Sequence, residues 1–231
     1  MKRSVATQLD QLKNKLNGYV ALLVYRYANL CIEANPIALL PVKVMIENEE
    51  KNMEDVAKIA VFETYHFAVI PIYDDDLFAI GQAIMKEHPE FKQELKTLDG
   101  HSEDDPEGKF LFYTMPEVNK ERHELLLQLV DALYDECKEK MEVAQQTCNV
   151  KLAILQADAS TEEQEKTAEI IKDIMKQFED MRDTNRDGKK QEVEDAYEEW
   201  QKKQAEKEAN KEEKQQEQGN PLQMVMDAAG V

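Results

Sequence analysis

A long stretch without glycine or proline, from Asn119 to Gln156, constrains the fold of this chain more than any other feature. Its apolar residues recur at steps of three and four, which places one apolar stripe along a helix. The stripe comprises Leu126, Val130, Leu133, Cys137, Met141, Ala144, Cys148, Leu152 and Leu155. At a rise of 1.5 Å per residue the helix would be about 55 Å long. Because such a helix is stable in water only when other helices cover its stripe, the rest of the chain must supply partners.

Two further segments have the helical period and supply that cover. The first runs over residues 4–33 and ends ahead of Pro36, because the residue before a proline is displaced from helical geometry. Its apolar stripe comprises Val5, Leu9, Leu12, Leu16, Tyr19, Val20, Leu23, Tyr27 and Leu30. The other begins at Ser160, which forms a capping box with Glu163, and is predicted to end near Arg182. Its inward residues are predicted to be Ala168, Ile171, Ile174, Met175 and Phe178.

The segment between the first and second helices has the composition of a small α/β domain. Strands are predicted over residues 42–46, 56–62, 67–73 and 110–115, where β-branched and aromatic residues are concentrated. Asp75 or Asp76 is predicted to cap a helix over residues 77–86, with a metal site as the alternative for these acids. Pro71 indicates a strand that lies partly at a sheet edge. Residues 97–108 are predicted to form a mobile surface loop.

The predicted fold class is α+β: a long three-helix bundle, a small β/α domain inserted between helix 1 and helix 2, and a charged C-terminal extension. In this division residues 1–35 and 117–182 form the bundle, and residues 36–116 form the inserted domain. Residues 183–231 form a charged tail that is helical or disordered, because almost no apolar residue is available for packing after Gln201.

The charge balance limits the possible partners. The chain has 48 acidic and 29 basic side chains, which gives a net charge of −19. A field of that sign repels phosphate backbones, so we expect no DNA partner, and RNA binding would require a locally basic face. The sequence shows no apolar run as long as a membrane span and no signal peptide. We therefore expect a cytoplasmic protein that has no membrane partner.

The residues that could carry chemistry show no catalytic or metal-binding spacing. Cys31, Cys137 and Cys148 are expected to be buried and reduced. Cys137 and Cys148 would lie about 16 Å apart along one helix, too far for a disulfide. The four histidines have no metal spacing, and no glycine-rich phosphate loop is present. These observations predict no enzymatic activity, no cofactor and no metal, with one segment as the exception.

That segment lies at the start of the tail. Asp183, Asn185, Asp187 and Glu194 fit the calcium-loop pattern D-x-N-x-D-G-x5-E, in which Gly188 would allow the sharp turn. The eighth position of such a loop is usually apolar, and Lys190 occupies it here. The alternative interpretation is a polar helix break built from good turn-forming residues.

Four segments in order along residues 4–182 resemble motifs of the bacterial ribosome recycling factor family. They are Ala34-Asn35-Pro36 with Leu39, Ile72-Tyr73-Asp74 with Ala83-Ile84-Met85, Met115-Pro116 with Lys120-Glu121-Arg122, and Asn149 with Lys151. The order of helix, β/α insertion, helix and helix is also that of the family. The resemblance implies a non-enzymatic factor that acts with elongation factor G to split ribosomes after termination. It also implies an arginine-rich bundle face that contacts ribosomal RNA.

The chain departs from the family at that face. Glu142, Gln145 and Gln146 stand where the family motif has arginines, and Glu33 matches the arginine of another motif. Arg122 and Lys151 keep a positive charge at motif positions and are the candidate RNA-binding residues. Each lost phosphate contact removes counterion release, so these changes predict weaker RNA binding.

Three hypotheses about function follow from these observations. The first is a recycling-factor-like protein that binds ribosomes or a ribosome-associated protein. The second is a protein that keeps the fold, has lost binding to ribosomal RNA and binds a protein partner through the altered face. The third is a calcium-responsive helical protein.

Overall fold

The structure is a computed structural model that describes residues 2–102 and 108–218, with side chains described up to residue 211. The helices are α1 (Arg3–Ala28), α2 (Met53–Val56), α3 (Leu77–Glu87), α4 (Lys120–Leu155) and α5 (Thr161–Gln218). The strands are β1 (Lys43–Ile46), β2 (Glu49–Asn52), β3 (Ala57–Glu63), β4 (His66–Pro71), β5 (Lys92–Thr97) and β6 (Lys109–Thr114). The fold is the expected bundle of long helices with a small domain inserted after the first of them. The described helices include none that is long and apolar enough to cross a membrane.

Helices α1, α4 and α5 pack along one another through the predicted apolar stripes. Leu16 and Met141 are fully buried in the core that these helices share. The Ser160 cap is present, since its hydroxyl accepts a hydrogen bond from the Glu163 amide (3.3 Å), and the Asn119 side chain accepts one from the Arg122 amide (2.9 Å) at the start of α4. Caps of this kind satisfy backbone donors that the helix itself leaves unpaired.

The ends of two bundle helices differ from the prediction. Helix α1 ends at Ala28 rather than near residue 33. Helix α5 does not end near Arg182 but continues to Gln218, so the tail is helical as far as the structure describes it. In α5 the predicted inward residue Ala168 is exposed, and Thr167 beside it is buried, where its hydroxyl accepts a hydrogen bond from Gln156 (2.9 Å). The last part of the predicted tail, residues 219–231, lies outside the described residues.

The insertion contains a β1–β2 hairpin and an antiparallel sheet with the strand order β3-β4-β6-β5. Glu47 and Asn48 have positive φ angles at the β1–β2 turn, and β2 follows in a segment for which no strand was predicted. Strand β5, which the sequence analysis missed, pairs along the full length of β6. Its polar residues gave no strand signal, because β5 is an exposed edge.

Two local predictions for the insertion, an edge position for Pro71 and an aspartate cap on α3, can be compared with the structure. Strand β4 lies between β3 and β6, but its pairing with β6 covers only residues 66–69, so Pro71 lies beyond that ladder. Asp74–Asp76 form a short 3-10 turn ahead of α3, and the Asp76 side chain makes no capping hydrogen bond. The predicted mobile loop over residues 97–108 includes residues 103–107, which lie outside the described residues.

Candidate functional site

The outward surface of the second half of α4 carries most of the positions singled out by the sequence. Glu142, Gln146 and Lys151 are exposed, and Gln145 is half-buried. On the opposite side of the same helix, Met141 and Cys148 face the bundle core. The bundle therefore presents the altered positions to solvent, but their side chains are acidic or neutral amide groups. Such a surface offers hydrogen bonds and no cationic cluster.

An aliphatic stripe lies beside these positions on the same helix. Val143, Val150 and Ile154 are 61%, 64% and 73% exposed. They follow the helical spacing of seven and four residues, with Thr147 between the first two. The Thr147 hydroxyl donates to the Val143 carbonyl (2.8 Å), so its polar group is turned toward the helix backbone. Exposed apolar residues that are contiguous in this way are typical of a contact surface for another macromolecule.

Arg122 lies at the junction of the bundle and the insertion. The residue is half-buried, and its Nη2 donates to the carbonyl oxygen of Cys31 (2.8 Å). Its Nε is buried without a hydrogen-bond partner among the described residues. Burial lowers the pKa of Arg122, while Glu90 and Cys31 oppose that shift. Arg122 therefore makes an internal hydrogen bond, and Lys151 is the more exposed of the two candidate RNA-binding residues.

Glu33 lines an open cleft between the end of α1, the insertion and the middle of α5. The cleft has a volume of about 540 Å³. Its acidic lining residues are Glu33, Glu192, Asp195 and Glu199. The lining residue Lys189 forms an ion pair with Glu192 (2.8 Å), so its charge is already compensated. The excess of carboxylates makes this cleft unsuitable for a phosphate backbone.

The structure contradicts the calcium-loop hypothesis. Residues 183–194 are a continuous part of α5, so the first and twelfth positions lie about 16 Å apart along the helix axis and cannot coordinate one ion. The polar helix break proposed as the alternative is also wrong. Local turn propensity is overridden here because α5 has a partner helix along this whole segment.

The four supposed calcium ligands make other contacts. Asp183 accepts a hydrogen bond from the Tyr134 hydroxyl (2.8 Å), and Glu194 pairs with His123 (2.9 Å). The Asn185 amide donates to the Met181 carbonyl (2.7 Å), and Arg186 donates to Asp187. Between the first two contacts, Lys190 pairs with Asp131 (2.7 Å). The pattern that resembles an ion-binding loop is therefore a polar seam between α4 and α5.

Tyr134 is the centre of that seam. The guanidinium carbons of Arg182 and Arg186 each lie 4.4 Å from the centre of its ring, a cation–π distance. Arg182 is 7% exposed and donates two hydrogen bonds to Asp183. Burial by itself would raise the pKa of Asp183, but hydrogen bonds from Arg182 and Tyr134 outweigh it and hold the pKa below its usual value. The sequence analysis missed this cluster, because charged residues gave no signal of burial.

Comparison with known proteins identifies the family. The family model described as "Ribosome recycling factor" matches residues 28–199, nearly three quarters of the 231 residues. The chain belongs to the ribosome recycling factor family. No curated protein gives a significant match in a sequence search.

Two solved structures show the same fold as this member of the ribosome recycling factor family. A solution structure of the ribosome recycling factor is 15% identical, with a TM-score of 0.67, over 84% of this chain and 100% of the other. A second structure comprises models of the T. thermophilus ribosome recycling factor and the E. coli elongation factor G bound to the E. coli post-termination complex. It is 19% identical, with a TM-score of 0.55, over 82% of this chain and 98% of the other.

The family match corrects one expectation about the extension. The resemblance noted from the motifs ended near residue 182, whereas the ribosome recycling factor model continues to residue 199. The segment that follows Arg182 is thus part of the family's fold. Its apolar residues Val193 and Tyr197 pack with the start of α4 in a core at the junction. The roles of Arg122, Lys151 and the altered face remain predictions.

Proposed function

We propose that this protein is a non-enzymatic factor that associates with ribosomes in termination or recycling. The observation that carries the proposal is the family match, which runs without a break through the insertion, α4 and most of α5. One of the structures with this fold is described as a recycling factor bound to a post-termination complex, and we extend that association to this chain. The proposed action is binding and involves no covalent step.

The lack of cationic side chains on the altered face of α4 determines how strongly the proposed binding depends on salt. Glu142, Gln145 and Gln146 provide no cation to phosphate, and Glu142 repels it. Binding through this face would therefore release few counterions and depend only weakly on salt. Hydrogen bonds from the amides and contacts from the aliphatic stripe would supply the remaining affinity.

Sedimentation with ribosomes at low and moderate salt tests the proposal. We expect the wild-type protein in the ribosome pellet at low salt, with a modest decrease at moderate salt. The variant Glu142→Arg/Gln145→Arg/Gln146→Arg should pellet more strongly at low salt and show a steeper dependence, with a slope larger by about 2, because it adds three phosphate contacts. Absence of the wild-type protein from the pellet at both salt concentrations would contradict the proposal.

A matched control variant separates the effect of charge on the α4 face from the effect of the total charge of the protein. Glu206→Arg/Glu208→Arg, on the exposed far part of α5, changes the net charge by the same amount as the triple variant. If only total charge mattered, both variants would gain equally. A gain confined to the α4 variant would support this face as the one that approaches RNA.

A second candidate function is favoured by the aliphatic stripe. Val143, Val150 and Ile154 together make a surface that suits a protein better than RNA. In this alternative the altered face binds a ribosome-associated protein. Val150→Gln/Ile154→Gln should then reduce pelleting similarly at both salt concentrations. Leu125→Gln/Leu129→Gln, which changes exposed aliphatic residues elsewhere on α4, should have no effect. Unchanged pelleting of the first variant would exclude the stripe as a contact.

A further inference from the structure

Three potential metal ligands meet where the bundle joins the insertion. Cys31 lies just after α1, and His88 and Glu90 lie just after α3. Cys31 and His88 are 4% and 8% exposed, and the Glu90 side chain reaches solvent. The cysteine and the histidine are far apart in sequence, so the spacing of the histidines gave no sign of this cluster.

The distances within the cluster resemble those of a tetrahedral metal site. The Cys31 Sγ lies 3.9 Å from the His88 Nδ1, which lies 3.4 Å from the Glu90 Oε1. All the candidate ligand atoms lie within 4.8 Å of one another. When zinc binds sulfur at about 2.3 Å and nitrogen or oxygen at about 2.0–2.1 Å, neighbouring ligand atoms are about 3.3–3.6 Å apart. A small movement of the Cys31 side chain would complete this geometry.

The orientation of the imidazole supports the same conclusion. The His88 Nε2 faces the Ala38 carbonyl oxygen (3.4 Å), which can only accept a hydrogen bond. In the tautomer with its proton on Nε2, the ring can donate to this carbonyl, and the lone pair of Nδ1 then faces the thiol and the carboxylate. Two acceptors, Nδ1 and the Glu90 carboxylate, then lie opposite each other. A metal-binding histidine usually has this arrangement, with its other nitrogen donating to a carbonyl.

Two neighbours hold the candidate ligands in place. The ring of Phe91 stacks on that of His88, with centroids 4.7 Å apart and an interplanar angle of 3°. Arg122 donates to the carbonyl of Cys31 and so fixes the backbone of that ligand. Burial raises the pKa of the Cys31 thiol to about 11, Glu90 adds to that shift, and Arg122 opposes it. Metal binding would therefore have to displace the thiol proton, and the attraction between the ion and the thiolate would offset that cost.

We propose that Cys31, His88 and Glu90 bind a divalent ion of the zinc class. The combination of thiolate, imidazole and carboxylate suits zinc better than calcium or magnesium, which prefer oxygen ligands alone. We expect water to supply a fourth ligand, because the Glu90 side chain is 38% exposed. Binding releases the thiol proton to solvent. The bound ion would connect the segment after α1 to the segment after α3 and so restrict movement between the bundle and the insertion.

Cobalt titration of the tag-free full-length protein tests the proposal. Tetrahedral cobalt bound to a thiolate gives charge-transfer and visible bands, and these should saturate at one ion per chain and disappear when zinc is added. Cys31→Ser should abolish the charge-transfer band and reduce zinc affinity by more than about 100-fold, since loss of a ligand exceeds the usual effect of losing a supporting residue. Cys148→Ser, a buried cysteine in the bundle core, should retain both signals.

A variant of the exposed ligand Glu90 shows whether a loss of zinc affinity could be caused by misfolding. Glu90→Gln changes a surface side chain, so the fold should be retained, as circular dichroism can verify. Its zinc affinity should fall by at least about 10-fold. The proposal is overturned if the folded wild-type protein gives no thiolate–cobalt band, or if Cys31→Ser gives the same band as wild type. These measurements require no ribosomes, so their outcome is independent of the proposed function.

Discussion

Both halves of α4 bury apolar residues, but the polar contacts with α5 are concentrated in the first half. In the second half, Met141 and Cys148 are buried among aliphatic residues of α1 and α5. In the first half, Val130 is buried as well, and His123, Asp131 and Tyr134 add hydrogen bonds and ion pairs with α5. The outward surfaces of both halves carry exposed aliphatic residues.

This difference shows that one helix can be stabilised in two ways along its length. Apolar burial is large and insensitive to register, because many side chains of similar shape fit the same stripe. A polar seam contributes less free energy, since each hydrogen bond replaces one with water. It nevertheless requires particular partners, and so fixes how α5 lies against α4.

The largest effect is expected in the apolar core. Met141→Ala should lower the free energy of unfolding by about 2–5 kcal/mol, because it leaves a cavity in a fully buried part of the core. Urea-induced unfolding followed by circular dichroism measures this change. Val143→Ala, on the exposed side of the same segment, should change stability by less than about 0.5 kcal/mol. Equal effects of the two variants would contradict the burial of Met141 in the shared core.

An intermediate effect with a distinctive pH dependence is expected in the polar seam. Asp183→Asn should cost about 1 kcal/mol at pH 7, less than a fully buried charged hydrogen bond, because the Asp183 side chain is 44% exposed. The pKa of Asp183 is lowered in the folded state, so its contribution is present above the unfolded pKa of about 3.9. It is lost as the pH falls through the lower folded value.

Unfolding curves recorded from pH 7 down to pH 2 check this prediction. Wild type and Asp183→Asn should differ at pH 7, and the difference should start to shrink as the pH falls below about 4. Asp173→Asn, at an exposed position of α5, serves as the control and should follow the wild type at every pH. A constant difference between wild type and Asp183→Asn down to the lowest pH would argue against the charged contact with Arg182 and Tyr134.

The smallest effect concerns the continuity of α5. Gly188 lies inside the helix, and a Cβ atom added there would have no neighbour within 4 Å. Gly188→Ala should therefore stabilise the protein by about 0.5 kcal/mol, because alanine restricts the unfolded chain and favours the helix. Thermal unfolding of this variant and of Gly18→Ala, an equivalent site in α1, should show similar gains. Destabilisation by Gly188→Ala alone would indicate a turn at this position.

Much of the fold could be predicted because the buried face of a helix requires apolar residues at a regular spacing. The stripes of α1 and α4 were found residue by residue, and so was the start of α5 at the Ser160 cap. Strand β5 was missed because an exposed edge strand need not carry apolar residues. The end of α5 was placed too early because Asp183, Asn185 and Gly188 favour turns locally, whereas their partners lie on another helix.

The candidate sites were less accessible to prediction. Glu142, Gln146 and Lys151 could be identified as surface positions, since they fall outside the apolar stripe. Arg122 could not be recognised as half-buried, because its partner is a backbone carbonyl distant in sequence.

The amino-acid sequence by itself determined the long helices, their buried faces and the strongly acidic character of the chain. These are properties of neighbouring residues: the period of the apolar positions and the count of charges. Only the tertiary structure decided that Tyr134 meets Asp183 and that Cys31 meets His88 and Glu90. Such meetings depend on the register of packed elements, because polar side chains distant in the chain find their partners only when the helices and the sheet are in place.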